Sequence, residues 1–229
     1  VKGESQLDGI APEATTSYSF LGANNGSLTD MSTGTTQLLG PNIDDTASAL
    51  TNIGFDFFFQ GVRYTQFSIN DNGVMRLGAA AQASTPYKPL GQSGIPIITA
   101  YGADQRVHTS GKVHFKVTGA APNRVLTVEW LNNQANFNAG GTADLTYQIR
   151  LYETTGQIEL VYGTMTMSAA GAADVNSQNP NIGFSSSNVA GTIGTMTVAQ
   201  SGTPAPSYDG NAAAAVANLY TAGTITALS

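Results

Sequence analysis

Cysteine is absent from the chain, which excludes disulfides, thiol nucleophiles and thiolate-held metals. Stability must then come from burial, and 229 residues are enough to enclose a sizeable core. Charge is scarce too: Asp, Glu, Lys and Arg make up 10% of the residues, against about a quarter in ordinary soluble domains. Solubility therefore rests on Thr, Ser, Asn and Gln. The charge that is present is acidic, with 9 Lys and Arg against 15 Asp and Glu and a formal net charge of -6. A phosphate backbone would be repelled and no basic stripe offsets this, so no nucleic-acid partner is expected; anionic membrane surfaces are disfavoured for the same reason. No apolar run approaches the roughly 20 residues that span a bilayer, so membrane insertion is not expected either. The opening Val1-Lys2-Gly3-Glu4 has neither an initiator Met nor a signal-peptide core, as expected of a processed end or an excised piece.

What is present is organised around residues 53–78. Ile53, Phe55, Phe57 and Phe59 recur at every second position, so an extended chain points all four to one face, and that face must be buried. Gln60-Gly61 breaks the run and Tyr64 to Ile69 resumes it. Asn70-Asp71-Asn72-Gly73 tolerates the positive φ of a tight turn before Val74 to Leu77 continues. Three antiparallel strands in a row cannot cover their own apolar face, so a second sheet must pack on them. The expectation is an all-β fold, a two-layer antiparallel β-sandwich of jelly-roll-like type.

Residues 1–16 read as an extended arm that either lies across its own sandwich or pairs with a neighbouring molecule, 17–200 as the sandwich, and 201–229 as an extension of the same domain ending in a strand. Short strands are expected at Tyr18 to Ala23 and Thr36 to Leu39, with a polar connection from Asn42 to Thr51. Ala79 to Gly94 is a long surface loop, the kind of segment where binding concentrates. Ile95 to Ala100 is apolar and strand-like, and Tyr101-Gly102-Ala103-Asp104 follows it. Val113, Phe115 and Val117 alternate with Lys112, His114 and Lys116, so the latter three should lie on a wet outer face. Trp130 is a core anchor on a strand from Val125 to Leu131. Leu145, Tyr147, Ile149 and Leu151 face Ile158, Leu160 and Tyr162 across a hairpin. Aligning the two rows puts Leu151 opposite Leu160, Glu153 opposite Ile158, and Arg150 diagonal to Glu159 in a surface ion pair worth about 1 kcal/mol at most. Ala169 to Pro180 and Gly202 to Gly210 read as loops, Ile182 to Phe184, Thr192 to Val198 and Thr224 to Leu228 as strands, and Asn211 to Ala217 as one helical turn at most.

Several stretches together resemble a β-sandwich domain of secreted, adhesin-like multidomain surface proteins of gliding and related Bacteroidetes bacteria. They are Ile-Gly-Phe-Asp-Phe-Phe-Phe-Gln-Gly-Val-Arg-Tyr-Thr at 53–65, Ser-Ile-Asn-Asp-Asn-Gly at 68–73, Pro-Ile-Ile at 96–98, Pro-Asn-Arg-Val-Leu-Thr-Val-Glu-Trp at 122–130, and Tyr-Gln-Ile-Arg-Leu-Tyr-Glu-Thr-Thr-Gly-Gln-Ile-Glu at 147–159. The resemblance covers most of residues 18–184 and implies an extracellular or cell-surface location. It specifies architecture better than activity, because such domains accompany adhesins, filaments and polysaccharide-handling enzymes alike.

Residues able to carry chemistry are few. His108 and His114 are six apart and the second sits between lysines, which disfavours a bound cation. Gln92-Ser93-Gly94 has no positioned base for serine catalysis, and nothing cradles a phosphate. Glu129, Glu153 and Glu159 are the carboxylates a glycosidase pair would need, yet no cleft is evident around them. Asp44, Asp45, Asp71 and Asp104 supply hard oxygen donors in loops, which calcium uses, although Asn-Asp-Asn-Gly is also an ordinary turn. Tyr87, Tyr101 and Tyr208 in loops are of the type that stacks on sugar rings, although loop tyrosines often merely cover a core.

The sequence thus points to a non-enzymatic structural or adhesive sandwich without an obligatory cofactor, a subunit of a surface filament joined by exchange of terminal strands. Its partners would be other subunits, including copies of itself, or surface glycans. The alternative is a carbohydrate-binding module using the 79–94 loop.

Overall fold

The computed structural model describes residues 19–24, 27–59, 61–87, 90, 95–135, 137–138, 141–143, 145–165, 181–186, 195–198 and 223–228. The described residues form fourteen strands: β1 Ser19–Asn24, β2 Thr36–Leu39, β3 Ile43–Asp44, β4 Thr51–Phe59, β5 Val62–Ile69, β6 Val74–Leu77, β7 Ile97–Gly102, β8 Arg106–Thr118, β9 Val125–Gln134, β10 Leu145–Tyr152, β11 Ile158–Met165, β12 Asn181–Ser186, β13 Thr195–Val198 and β14 Gly223–Leu228. The first sheet runs β1-β14-β11-β10-β9-β8-β2, with β3 also paired to β8, and the second runs β13-β12-β7-β6-β5-β4. Every pairing is antiparallel. The two-layer sandwich expected from the sequence is therefore the fold, built around two meanders, β4 to β7 and β8 to β11. Among the described residues no helix is long and apolar enough to cross a membrane.

The phenylalanine row behaves as its period demands. Ile53, Phe55, Phe57 and Phe59 are all buried while Asn52, Gly54 and Asp56 face outward. Burying a Phe side chain contributes about 1.5–3 kcal/mol, so this one strand is a major source of cohesion. The opposite sheet answers it: Phe67 meets Phe115 edge-on at 5.6 Å, Trp130 stacks on Tyr147 at 5.3 Å, and the Tyr162 hydroxyl donates across the layers to the Ala100 carbonyl at 2.7 Å.

Several sequence expectations are corrected. The β10–β11 register places Leu151 opposite Ile158 and Arg150 directly opposite Glu159, two residues away from the hydrophobic alignment. The tight turn sets this register, because Tyr152 N–H bonds the Gln157 carbonyl at 3.1 Å; a slip of two keeps each side chain on its face, so pattern alone cannot detect it. Glu153 leaves the ladder and forks onto Arg124 instead, with bonds of 2.5 and 2.8 Å. The Asn42 to Thr51 connection contains β3 and a bridge from Ala47 to Asn70. Tyr101 lies within β7, fully buried, because that strand runs two residues further than the apolar pattern indicated. The arm at 1–16, the loops at 169–180 and 202–210, Ser93, the Asn211 to Ala217 turn and Tyr208 lie outside the described residues.

Candidate functional site

At one end of the sandwich the β5–β6 turn, Asn70-Asp71-Asn72-Gly73, is sealed beneath its neighbours, each of Asn70, Asp71 and Asn72 showing 0% exposure. A turn usually meets water, so a buried one must find partners for every polar group. Asn70 closes the turn by accepting from Val74 N–H at 3.1 Å. Its amide nitrogen reaches out to the carbonyls of Ala83, Ser84 and Pro86 at 3.2, 3.2 and 2.7 Å. Gln82 N–H adds a 2.7 Å bond to the Ser68 hydroxyl, so residues 82–86 are fastened to the sandwich instead of hanging from it.

The inner side of the turn is satisfied by β9, β10 and the β7–β8 corner. Trp130 Nε1 donates to the Asn70 carbonyl at 2.9 Å, Asn133 Nδ2 to the Asp71 carbonyl at 2.8 Å, and Gln105 N–H to Asn72 Oδ1 at 2.7 Å. The Tyr147 hydroxyl donates to Gln105 Oε1 at 3.0 Å, extending the network across the core. Gly73 has φ +79°, and a Cβ there would strike the Tyr101 carbonyl and lie 2.7 Å from the Tyr147 hydroxyl, so only glycine fits.

Asp71 is the titratable group of this corner. Its Oδ1 accepts from Thr46 N–H at 3.0 Å, while Oδ2 is buried without a hydrogen-bond partner. Burial pushes its pKa up to about 7, the Thr46 bond working against this and the charges of Asp44 and Asp45 adding to it. Burial also raises Asp44, with repulsion from Asp45 next. Asp44 pairs with Arg106 in the β3–β8 ladder, Asp45 occupies a left-handed φ of 48°, and Asp104 is half-buried beyond β7. Among the described residues no three His, Cys, Asp or Glu side chains are grouped to hold a metal ion.

Of the three tyrosines singled out for sugar stacking, Tyr101 is interior and Tyr208 is outside the described residues. Tyr87 stands at the end of the fastened loop, 36% exposed. A cavity at the hairpin tips, lined by Asn123, Arg124, Tyr152, Glu153, Thr154 and Thr155, measures about 60 Å³. Small-molecule sites usually need a few hundred Å³.

On the outer face of β8, Lys112 and Lys116 are partly exposed as expected, but His114 between them is not wet. His114 is 1% exposed, because the connection between β1 and β2 crosses that face as a strap. Gln148 binds the strap through both amide atoms, accepting from Thr29 N–H at 2.9 Å and donating to the Thr29 carbonyl at 2.8 Å. Arg150 donates to the Ser27 carbonyl at 2.7 Å, Lys116 Nζ to the Asp30 carbonyl, and His114 Nδ1 lies 3.0 Å from Thr35 Oγ1. Beneath the strap, His114 Nε2 and Glu129 Oε2 are 2.7 Å apart and Gln148 Nε2 donates to Glu129 Oε1 at 2.7 Å. The three candidate glycosidase carboxylates are thus each engaged elsewhere: Glu129 by His114 and Gln148, Glu153 by Arg124, Glu159 by Arg150 at 3.0 Å and the Tyr152 hydroxyl at 2.7 Å. The histidines do not converge; His108 turns to Ser110, 2.9 Å away.

Sequence reading missed Gln105, Asn133 and Gln148. The signal was present in polar residues where a core strand should read apolar, as in Asn132-Asn133-Gln134 at the end of β9. A family model described as NIDO related matches residues 17–226. No curated protein and no solved structure matches the chain.

Proposed function

The chain belongs to the NIDO-related family, and from that premise we propose that it is a non-enzymatic structural or adhesive sandwich of the cell surface, a filament subunit joined by strand exchange. Domains of this family are in general extracellular. The narrower kinship with adhesin-like Bacteroidetes surface proteins is part of the same reading.

The observation that supports it is the place of β14 in the first sheet. β14 sits inside the first sheet, paired on one side with β11 and on the other with β1, which lies more than 190 residues earlier. A strand held between two neighbours distant in sequence is an element that copies of a chain can exchange, since an identical strand from another copy fills the same place. Electron microscopy of the purified chain tests this: filaments or regular oligomers are expected, and uniformly single particles at high concentration contradict it.

A second reading, glycan binding, is favoured by one feature, the fastening of the 82–86 loop by Asn70 with half-exposed Tyr87 at its end. An aromatic on a fixed loop loses little freedom when a sugar ring stacks on it. Glycan-array binding lost on Tyr87→Ala supports that reading; binding that survives the substitution rules out this tyrosine.

A further inference from the structure

We infer that the exchanged element is β14 alone, and that its receptor is the slot between β11 and β1 of a second copy of this chain. This rests on the filament reading and specifies the donor and the acceptor within it.

The first step concerns β1. Among the described residues it hydrogen-bonds to β14 and to no other strand, from Ser19 opposite Leu228 to Asn24 opposite Gly223. On pairing alone it would leave with β14 as a hairpin. The strap prevents that. Three residues beyond Asn24, the Ser27 carbonyl is bound by Arg150 of β10, and Thr29 is bound through both backbone groups by Gln148. The His114, Glu129 and Gln148 row beneath is nearly sealed. Three residues span roughly 10 Å, so β1 stays with its own sandwich.

The second step concerns β14. Its neighbour in sequence, β13, lies on the edge of the other sheet, and residues 199–222 join the two. Extended at ~3.4 Å per residue, that length reaches roughly 80 Å, more than the breadth of a domain of this size. The number of residues between β13 and β14 is thus large enough to bridge two copies.

The third step concerns the slot. With β14 removed, β11 and β1 present two facing ladders about 9.5 Å apart, twice the strand spacing, each with unpaired N–H and C=O groups. Only an extended chain satisfies both edges at once. The register also selects the sequence: Ile225 stands opposite Leu160 and Ala227 opposite Ile158, two positions of the inner core row, while Thr224 and Thr226 stand opposite Val161 and Glu159. A second copy's Gly-Thr-Ile-Thr-Ala-Leu meets both requirements by identity.

Because the chain has no cysteine, single introduced thiols report which copy supplies β14. Opposite residues of an antiparallel pair lie within disulfide reach. Copies carrying Val161→Cys are mixed with copies carrying Thr224→Cys, and separately Leu21→Cys copies with Thr226→Cys copies; each mixture is assembled and oxidised. Both pairs are opposite in register. The expected result is a mixed disulfide dimer in both mixtures. A dimer only in the first means that β1 travels with β14 and overturns the inference. No dimer in either mixture, while a chain carrying both Val161→Cys and Thr224→Cys closes on itself and still self-associates, overturns the inference but leaves the filament reading standing. A chain of single-copy mass at every concentration overturns both.

Discussion

The amide nitrogen of Asn70 lies 2.7 Å from the Pro86 carbonyl, joining a buried turn to a loop 16 residues further along the chain. Asn70→Ala removes that bond, those to Ala83 and Ser84, and the acceptor for Val74 N–H. Leaving the buried Val74 N–H unpaired costs about 1–3 kcal/mol, and the half-buried loop carbonyls lose their tie to the turn. A lower urea midpoint and faster proteolysis within 82–86 are expected. An unchanged midpoint with unchanged cleavage would show that the loop is held by something else.

Asp71 makes stability depend on pH in the direction opposite to ordinary acid denaturation. Its folded pKa of about 7 lies above the ordinary carboxyl value of 3.8, so between these values the folded chain keeps a proton that the unfolded chain has lost. Stability from this group is complete below the lower value and is lost as pH rises toward the upper one, by on the order of 4 kcal/mol. Denaturant unfolding across that range should show the decline in the native chain and its absence in Asp71→Asn. A native chain whose stability rises through the same range contradicts this assignment.

His114 and Glu129 form a buried hydrogen-bonded pair under the strap, and removing His114 takes away the partner of Glu129 Oε2 while Gln148 stays on Oε1. His114→Ala should cost about 1–3 kcal/mol for the unpaired buried group, and His114→Ala with Glu129→Gln less than the sum of the two single changes. A double-mutant cycle measured by urea unfolding decides it; additive losses would mean that the pair is not coupled.

The core was legible because its signal is local. Phe55, Phe57 and Phe59 repeat with the period of a strand, and no distant residue is needed to see that they share a face. His114 was not, because what covers it is the strap 79 residues earlier, and its own neighbours Lys112 and Lys116 read as solvent-facing. Asn70 to Gly73 was legible as a turn but not as a buried one, since Asn133 and Trp130 meet it from 60 or more residues away. Tyr101 reads equally as the end of a strand or the start of a loop, and the pairing of β7 with β12 at Gly102 and Asn181 decides for the strand.

Removing residues 1–16 separates the two possible donors at the chain's ends. With β14 as the exchanged strand, the shortened chain should assemble as the complete one does, measured by sedimentation at matched concentration. Loss of assembly would move the donor role to the N-terminal arm.

The most direct test of the central claim, that this sandwich is a building unit that lends its last strand to a copy of itself, is light scattering over a concentration series of the purified chain. The account predicts an average mass that climbs in multiples of one chain as concentration rises. A mass fixed at that of one chain throughout would contradict it.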